Sequence, residues 1–581
     1  MTVIANTKLI NVRGVSCFFN PVSDISTKDY YVFVGNHTSN TAIPISESVK
    51  ETEYTAFEQI IFGKFVTTSD YKRMINRYEW QSGKIYAQYD DTDANLYDKE
   101  FFVSSPEGGS YHIFKCLNNN GGVPSTSQPL FSETSEDDEF YVTADKYVWK
   151  YMYSVDSVTY DKFKTHNYIP VIPNANVAAN AISGSIDSIL LVTGGSQYKS
   201  IATGGFSQIS VSNTTVHALD PNSTSSNTNF YTGSAIYINS GTGFGQVREI
   251  TNYLVTANQH LITIDNEFAP QPDLTSSFVI APNVKILGDG SGAQAISVVN
   301  QSTNSIERFE IISSGQNYTY ANVSIVGNTG ITQANNAVAR AIISPRNGHG
   351  ANVYSELYAN KIGISVKFNN TEFNSISSNN SFSRVGLLKA PQFANVTLNF
   401  ATSSGAFIVN ESVSQNNASG VVTAANSTAV QLTEVSGRFS TGLNVVGANS
   451  GATANVTLIT GQPTTINQTL KLLCTYNSGS FSLDDYVEQE TPGVNGAFGY
   501  IQDISQANAT HYNISLTGVK GVFETNKYIK SSNGVVSANV VSITNPDLIP
   551  YTGDIVYLET INPISRSNTQ SETIKFVLKF Y

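Results

Sequence analysis

The chain has 581 residues, of which 40% are hydrophobic and only 13% are charged, and its formal net charge is −12. At roughly 150 residues per domain, a chain of this length needs several hydrophobic cores. The acidic balance argues against nucleic acid as a partner, because a nucleic-acid binder needs clustered Lys and Arg and the longest basic run here is Lys72-Arg73.

The cysteines and the apolar runs indicate the compartment. Cys17, Cys116 and Cys474 are odd in number and far apart, so they predict neither a disulfide framework nor a metal site and fit a reducing compartment. No apolar run approaches the roughly 18 residues of a membrane span. The first residues do not have the pattern of a secretory signal. We expect no membrane partner.

In chain order, the predicted elements are mostly strands. Short β-branched or aromatic runs predict strands at residues 30–34, 140–142, 147–153 and 574–580. One helix is predicted between Ser48 and Gly63. Ser48 and Glu51 have the spacing of a capping box, apolar residues recur at positions 54, 57, 60 and 61, and Gly63 is a stop signal.

A pair of repeats occupies the first part of a Ser-, Thr-, Asn- and Gly-rich middle. The pattern Ile186-x-x-Ile189, with Gly195 and Tyr198 following, recurs 120 residues later with the same internal spacing. The members of the second copy are Ile306, Phe309, Gly315 and Tyr318. Each copy predicts a strand, a glycine turn and an aromatic anchor. Between them, residues 241–250 predict a glycine turn that runs into an alternating strand.

Four shorter repeats follow. Each has a Phe, then a Val or Ile six residues later, then a Gly: Phe407, Val413, Gly420; Phe439, Val445, Gly451; Phe481, Val487, Gly496; Phe523, Ile529, Gly534. We interpret each as a β-hairpin unit whose apolar residues anchor one face and whose glycine takes a turn position. Because one unit is too small to bury its own face, the copies are expected to pack together.

Residue types that could carry chemistry are dispersed. No two of the seven histidines (His37, His112, His166, His217, His260, His349, His511) have metal-ligand spacing. The densest carboxylates, Asp90-Asp91 and residues 136–139, could hold a cation or hydrolyse a glycoside, but solvated charge is the simpler interpretation. The sequence therefore predicts no catalytic residue, no metal site and no cofactor.

Several segments resemble the baseplate wedge protein of T4-like contractile-tailed phages, the family called gene product eight. The N-terminal segments are residues 48–63, 74–80, 111–117 and 146–151. Two middle segments are residues 359–366 and 382–388, and the C-terminal ones are residues 552–559, 562–564 and 572–576. Their order along the chain carries the resemblance, which covers about half of the chain. Residues 176–344 and 396–545 depart from the family pattern.

The resemblance implies a mostly-β fold: a multi-domain, β-sandwich-like core with one small helical element and inserted small β-modules. The implied domains are a discontinuous wedge core of residues 1–175, 345–395 and 546–581, and two inserted β-domains at 176–344 and 396–545. The family-matched aromatic residues, expected as interface or core anchors, are Trp80, Tyr147, Trp149, Tyr151 and Tyr557.

The function implied by the resemblance is structural and non-enzymatic. Such a subunit binds other baseplate wedge proteins, forms a homodimer, helps to hold the pre-contraction state, and is assembled in the host cytoplasm into the virion tail baseplate. One alternative is a receptor-binding or fibre-like adhesin whose β-modules contact glycans. Another is a polysaccharide-degrading enzyme, which would need a carboxylate pair such as Asp90 and Asp91 in a groove.

Overall fold

The computed structural model describes residues 28–36, 49–199, 201–207, 214–326, 336–370, 372, 381–489, 496–532, 534–565 and 570–579. Strands dominate, which confirms the predicted mostly-β, multi-domain fold class. Ser48, Cys17 and His37 lie outside the described residues.

Within the described residues the chain forms 36 strands and four α-helices. The first nineteen strands are β1 (Tyr30–Gly35), β2 (Ile60–Phe65), β3 (Tyr71–Asn76), β4 (Phe102–Glu107), β5 (Ser110–Asn118), β6 (Tyr141–Val142), β7 (Val148–Asp156), β8 (Tyr168–Pro170), β9 (Ile186–Thr193), β10 (Ala202–Gly205), β11 (Val216–Leu219), β12 (Ser234–Ser240), β13 (Val247–Val255), β14 (His260–Ile264), β15 (Ser277–Gly288), β16 (Ser291–Asn300), β17 (Ser305–Gln316), β18 (Ala321–Val326) and β19 (Val338–Ile343).

The remaining strands are β20 (Lys361–Phe368), β21 (Ser381–Lys389), β22 (Val396–Ser404), β23 (Ser412–Gln415), β24 (Ala418–Ala425), β25 (Ala429–Ser436), β26 (Asn444–Gly447), β27 (Thr453–Thr460), β28 (Thr465–Asn467), β29 (Leu470–Ser478), β30 (Tyr486–Gln489), β31 (Ala497–Gln506), β32 (Tyr512–Lys520), β33 (Tyr528–Ser531), β34 (Ser537–Thr544), β35 (Asp554–Ser565) and β36 (Glu572–Lys579). The helices are α1 (Val49–Glu58), α2 (Ser157–Phe163), α3 (Ala175–Ala179) and α4 (Val353–Glu356).

The chain divides into two compact units, of which the first comprises Met1–Lys72 and Lys361–Tyr581. Its framework is an antiparallel sheet with the order β28-β2-β1-β21-β35, and β20 pairs separately with β36. Strand β1 is buried on both faces. Because side chains alternate along a strand, Tyr31 and Phe33 enter one core while Tyr30, Val32 and Val34 enter another.

The predicted helix is shorter than its sequence pattern. Helix α1 ends at Glu58, and the prediction that it continues to Gly63 is wrong. Residues 60–65 form strand β2 instead, where Gly63 faces Phe33 of β1 and Ile466 of β28. The run Ile-Ile-Phe is β-branched and aromatic, and pairing on both sides outweighs its helical spacing. Helices α2, α3 and α4 were not predicted.

The four short repeats form two closed six-stranded barrels in the first unit. The strand orders are β22-β25-β24-β23-β26-β27 and β29-β32-β31-β30-β33-β34. Each barrel interleaves two three-stranded halves, and exchanging the halves leaves the pattern of paired strands unchanged. The repeat residues Phe407, Phe439, Val413 and Val445 are all buried in the first barrel, as their equivalents are in the second. This confirms that the copies pack together.

Two of the four repeat glycines differ from the predicted turn role. Gly451 and Gly534 have φ values of +66° and +69°, as expected for turns. Gly420 instead lies inside β24 opposite Val413, where an added Cβ would be 2.7 Å from Val435 Cγ2. Close packing across the barrel therefore explains this glycine. Gly496 lies immediately before β31 and is exposed.

In each barrel, a glutamine at the end of the second strand in sequence, β23 or β30, forms hydrogen bonds that stabilise the barrel. Gln489 is buried, its Nε2 donates to the Glu524 carbonyl at 3.0 Å, and the Glu524 N–H donates back to Oε1 at 2.5 Å. Gln415 holds Ser440 in the same way in the first barrel, at 2.6 Å from the Ser440 N–H. These bonds join the two halves of a barrel through the backbone groups of Ser440 and Glu524.

The second unit is Arg73–Asn360. It contains a four-stranded sheet, β4-β5-β7-β6, and a larger sheet along β11-β14-β13-β12-β15-β18-β19-β9, with β10, β16 and β17 joined to its side. The two predicted long repeats lie in β9 and β17, and their apolar residues share one core. Gly195 and Gly315 both have left-handed backbones, with φ values of +61° and +62°. Gly195 follows β9, whereas Gly315 lies inside β17, so the predicted turn after the strand is wrong for the second copy.

The boundaries of the two units are at residues 72/73 and 360/361. Residues 396–545 thus belong to the same unit as both ends of the chain, while residues 176–344 belong with residues 73–175. The division into a wedge core and two inserted domains stays a prediction.

Candidate functional site

Three of the predicted anchors form an aromatic core in the second unit. Trp149 is buried between Tyr86 and Tyr147, with ring centroids 5.8 Å and 5.5 Å away. Tyr151 is buried beside Phe131 at 4.7 Å. Alternation along β7 brings these side chains to one face of the sheet. They contribute to core packing rather than to an exposed surface.

The other two anchors lie in different surroundings. Trp80 is half-buried against this aromatic core, and its Nε1 donates to Ser125 Oγ at 3.1 Å. Tyr557, in β35 of the first unit, is buried and packs edge-on against Phe576 at 5.2 Å. Burial and the neighbouring Glu559 raise the pKa of the Tyr557 hydroxyl.

Asp145 organises the loops that cover the aromatic core. Its Oδ2 accepts from Ser125 Oγ at 2.9 Å, the Thr126 N–H at 2.7 Å and the Ser127 N–H at 2.9 Å. Its Oδ1 accepts from Thr143 Oγ1 at 2.5 Å. Burial opposes ionisation, but these donors outweigh it and lower the pKa of Asp145. The carboxylate therefore holds the loops in place as a charged acceptor.

The first acidic cluster forms ion pairs. Asp90 Oδ2 accepts from Arg340 at 2.5 Å, and Asp91 Oδ1 lies 3.5 Å from the same guanidinium. Burial opposes ionisation of Asp90, but Arg340 and Thr92 hold its pKa below the usual value. Burial raises the pKa of Asp91. With both carboxylates directed at one arginine, the arrangement favours a structural tie between β19 and the loop before β4.

One residue of the second acidic cluster, Glu136, lines an open pocket of about 390 Å³. Glu136 Oε1 accepts from Asn174 Nδ2 at 2.8 Å, and its Oε2 accepts from Asn176 Nδ2 at 2.7 Å. These donors lower the pKa of Glu136. Phe131, Tyr151 and further residues complete the lining: Ser154, Ile172, Pro173 and Ala175. The pocket thus offers an aromatic wall, amides and a hydroxyl.

A buried network of charged and polar side chains includes Lys115 of β5. Its other members are Asp187, His349 and Glu356. Lys115 Nζ lies 3.2 Å from Glu356 Oε2 and 2.9 Å from His349 Nδ1. His349 Nε2 lies 2.7 Å from Asp187 Oδ2. The Tyr89 ring covers the ammonium, with its centroid 3.8 Å from Nζ. The side chain of Lys115 is 0% exposed and that of Glu356 is 4% exposed.

Separate elements bring the network together. Lys115 lies in β5, Asp187 in β9 and Glu356 in α4, while His349 follows β19. Burial lowers the pKa of the Lys115 ammonium, against the opposing charges of Glu356 and Asp187. For Glu356, burial raises the pKa, but the neighbouring charge of Lys115 outweighs burial and the pKa is lowered to about 2. The contact between Lys115 and Glu356 is therefore an ion pair.

Sequence reasoning missed this network, although it named His349 among the dispersed histidines. Lys115 and Glu356 are 241 residues apart, and His349 and Asp187 are 162 apart, so local spacing carries no signal. The described residues contain no group of three or more His, Cys, Asp or Glu arranged to hold a metal ion. In the same part of the chain, no helix has the length and apolar character needed to cross a membrane.

Comparisons of the chain with models of protein families, with curated proteins and with solved structures find no match. Its function therefore has to be argued from its own residues and geometry.

Proposed function

We propose that the chain is a structural, non-enzymatic subunit of the baseplate wedge of a contractile phage tail. The observation that supports this most is the pairing of the segments that carry the resemblance. Residues 382–388 lie in β21, and residues 385–388 of that segment pair with residues 555–559 in β35, with Leu387 opposite Tyr557. Residues 359–366 overlap β20 and pair with β36, where Ile364 faces Phe576.

The same relation holds in the second unit. Residues 114–116 in β5 pair with residues 149–151 in β7, including Lys115 opposite Lys150. In each unit, segments that carry the resemblance thus meet as neighbouring strands. This supports a structural core within each unit, as a family core would have, rather than scattered chance similarities.

The charged residues of the chain support a scaffold. Asp90 and Asp91 are directed at Arg340. Both carboxylate oxygens of Glu136 accept hydrogen bonds from asparagine side chains. An inverting or retaining glycosidase instead needs two carboxyl groups facing one substrate groove. We propose that exposed rings provide binding anchors for neighbouring wedge proteins and for a second copy of the chain, among them Phe244, Tyr320 and Tyr528.

Electron microscopy of the intact tail tests the assignment. We expect antibodies against this chain to label the baseplate of purified virions, and density for the chain to occur as pairs around the hub. Label on distal fibres alone would contradict a wedge role.

Sedimentation tests the proposed homodimer separately. At micromolar concentration the purified full-length chain is expected to sediment as a dimer, and a purely monomeric distribution would contradict the dimer.

The pocket at Glu136 favours a second candidate function, glycan contact by a receptor-binding protein. Aromatic, amide and hydroxyl groups are the side chains that bind sugars through ring stacking and hydrogen bonds. The pocket lies in residues 131–176, outside the modules that the sequence analysis considered for glycan contact. A glycan array probed with the full-length chain and with Asn176→Ala tests it. Binding that the substitution abolishes would favour the adhesin.

A further inference from the structure

The buried network has the parts of an acyl-transfer site contained within one chain. Lys115 supplies an amine, and its Nζ lies 3.2 Å from Glu356 Oε2. A lysine amine is a nucleophile once it loses its proton. We propose that Lys115 and Glu356 condense in the folded protein to form an isopeptide bond between Nζ and Cδ.

His349 is placed to move the protons. Its Nδ1 lies 2.9 Å from Lys115 Nζ and 3.4 Å from Glu356 Oε2, so one ring nitrogen reaches both the attacking and the leaving atom. Its other nitrogen, Nε2, lies 2.7 Å from Asp187 Oδ2. The carboxylate keeps the proton on Nε2, which leaves the Nδ1 lone pair directed at the amine. Asp187 is thus a positioning residue.

The acceptor carboxyl is also held in place. Glu356 Oε1 accepts the Gly350 N–H at 2.7 Å and lies 3.4 Å from the Asn352 nitrogen. Backbone donors at this oxygen stabilise the negative charge that develops when the amine attacks Cδ. The left-handed backbone of Gly350, with φ +88°, helps to direct its N–H inward.

Burial favours the bond. The side chains of Lys115, Asp187, His349 and Glu356 are each no more than 6% exposed. Exclusion of water disfavours the charged amine, in agreement with its lowered pKa. It also removes the reactant that would hydrolyse the product. Since the ion pair is the resting form, the reaction proceeds from a minor neutral pair and is slow.

The atoms balance without an outside reactant. A proton first passes from the Lys115 ammonium to the Glu356 carboxylate, which gives an amine and a carboxylic acid. Nζ then attacks Cδ, His349 Nδ1 takes the second proton from Nζ and delivers it to Oε2, and the Cδ–Oε2 bond breaks. Oε2 leaves as water, Oε1 becomes the amide oxygen, and His349 returns to its starting state.

Proximity accelerates a reaction that is very slow between free amines and acids in water. Groups held in contact by a folded chain react with effective molarities on the order of 10⁵ to 10⁸ M. The product would join β5 to α4 across 241 residues of sequence. This inference does not depend on the proposed wedge function, because it rests only on the contacts within the buried network.

Mass spectrometry of the denatured full-length chain tests the bond directly. We expect the mass to be lower than the sequence mass by one water molecule, about 18 Da. After proteolysis, a branched peptide should contain Lys115 and Glu356. Wild-type protein with its full sequence mass, or a loss of water located elsewhere by fragmentation, would overturn the proposal.

Two lysine variants provide matched controls. Lys115→Arg keeps the charge but removes the amine, so the full mass and only linear peptides are expected. Lys150→Arg alters the buried lysine opposite Lys115, whose Nζ donates to the Asp138 carbonyl oxygen at 2.6 Å and not to a carboxyl group. This variant should keep the branched peptide. A branched peptide that persists in Lys115→Arg would refute the assignment.

The role of His349 has its own readout. In His349→Gln, the loss of water from freshly synthesised protein is expected to be many-fold slower than in the wild type. An unchanged rate would remove His349 from the mechanism, and folding of the variant can be checked by circular dichroism on the same samples.

Discussion

At the scale of single residues, several important polar side chains make contacts that the local sequence does not predict. Asp145 gathers donors from residues 125–127 and from Thr143, and so fixes the loops above Trp149. Sequence reasoning identified the aromatic residues of β7 because they form a compact run. It did not identify Asp145, since a single aspartate between two strands looks like any solvated turn residue.

We expect Asp145→Asn to lower the free energy of unfolding at pH 7 by about 1 to 3 kcal/mol, because an amide cannot accept all of these hydrogen bonds. Since the folded-state pKa of Asp145 is lowered, its contribution is present above the unfolded pKa of about 4 and is lost as the pH falls below that value. The difference from wild type should therefore shrink at pH 3. Urea denaturation at both pH values measures it.

A suitable control is Asp161→Asn, since Asp161 forms an exposed pair with Lys164. Exposed pairs contribute little, so this variant should stay within about 0.5 kcal/mol of wild type. A deficit for Asp145→Asn that stays constant between pH 7 and pH 3 would contradict its assigned role.

At the scale of elements, repeated sequence was more informative than propensity. The paired repeats at Ile186 and Ile306 predicted a strand, a glycine turn and an aromatic anchor in each copy. Both strands are present, and the anchors Tyr198 and Tyr318 are buried in one core. The helix that ends at Glu58 shows the reverse case. Its helical spacing continues beyond the helix, but partners on β1 and β28 decide the conformation of residues 60–65. These partners are distant in sequence, so propensity could not predict the outcome.

Two glycine substitutions separate backbone strain from crowding. Gly315 and Gly108 have nearly equal φ values, +62° and +60°, but an added Cβ at Gly315 would lie 2.4 Å from the Ala293 nitrogen, whereas nothing lies within 4 Å at Gly108. We expect Gly108→Ala to cost about 1 kcal/mol, the penalty of a left-handed backbone alone. Gly315→Ala should cost on the order of 3 kcal/mol or more. Equal losses in chemical denaturation would show that crowding at Gly315 is unimportant.

At the scale of the whole molecule, the sequence indicated several cores but not their grouping. Residues 73–175 contain most of the aromatic N-terminal segment, yet they belong to the unit that ends at Asn360. Contacts made by β9 and β19 with this region depend on pairing between distant strands, which composition does not reveal. The Lys115 network, with its members in three elements and a loop, was unpredictable for the same reason.

Two compact units predict more than one thermal transition, because unfolding of a multi-domain chain is seldom two-state. Gln489→Ala breaks a clamp in the first unit, and Gly315→Ala crowds the second. In scanning calorimetry, each substitution is expected to lower a different transition. If both lower the same transition by similar amounts, the two units unfold together.

Because each barrel is built from two equivalent halves, the number of repeats that such a chain can gain or lose is restricted. One half of a barrel alone would lack strand partners. In the first barrel, β22 pairs with β25 and β27, and β23 pairs with β26, so all of these partners come from the other half. Loss of a single repeat from the gene would therefore expose strand edges and invite aggregation. Viable relatives of this chain should gain or lose the Phe-to-Gly repeat two copies at a time, so that the number of copies stays even.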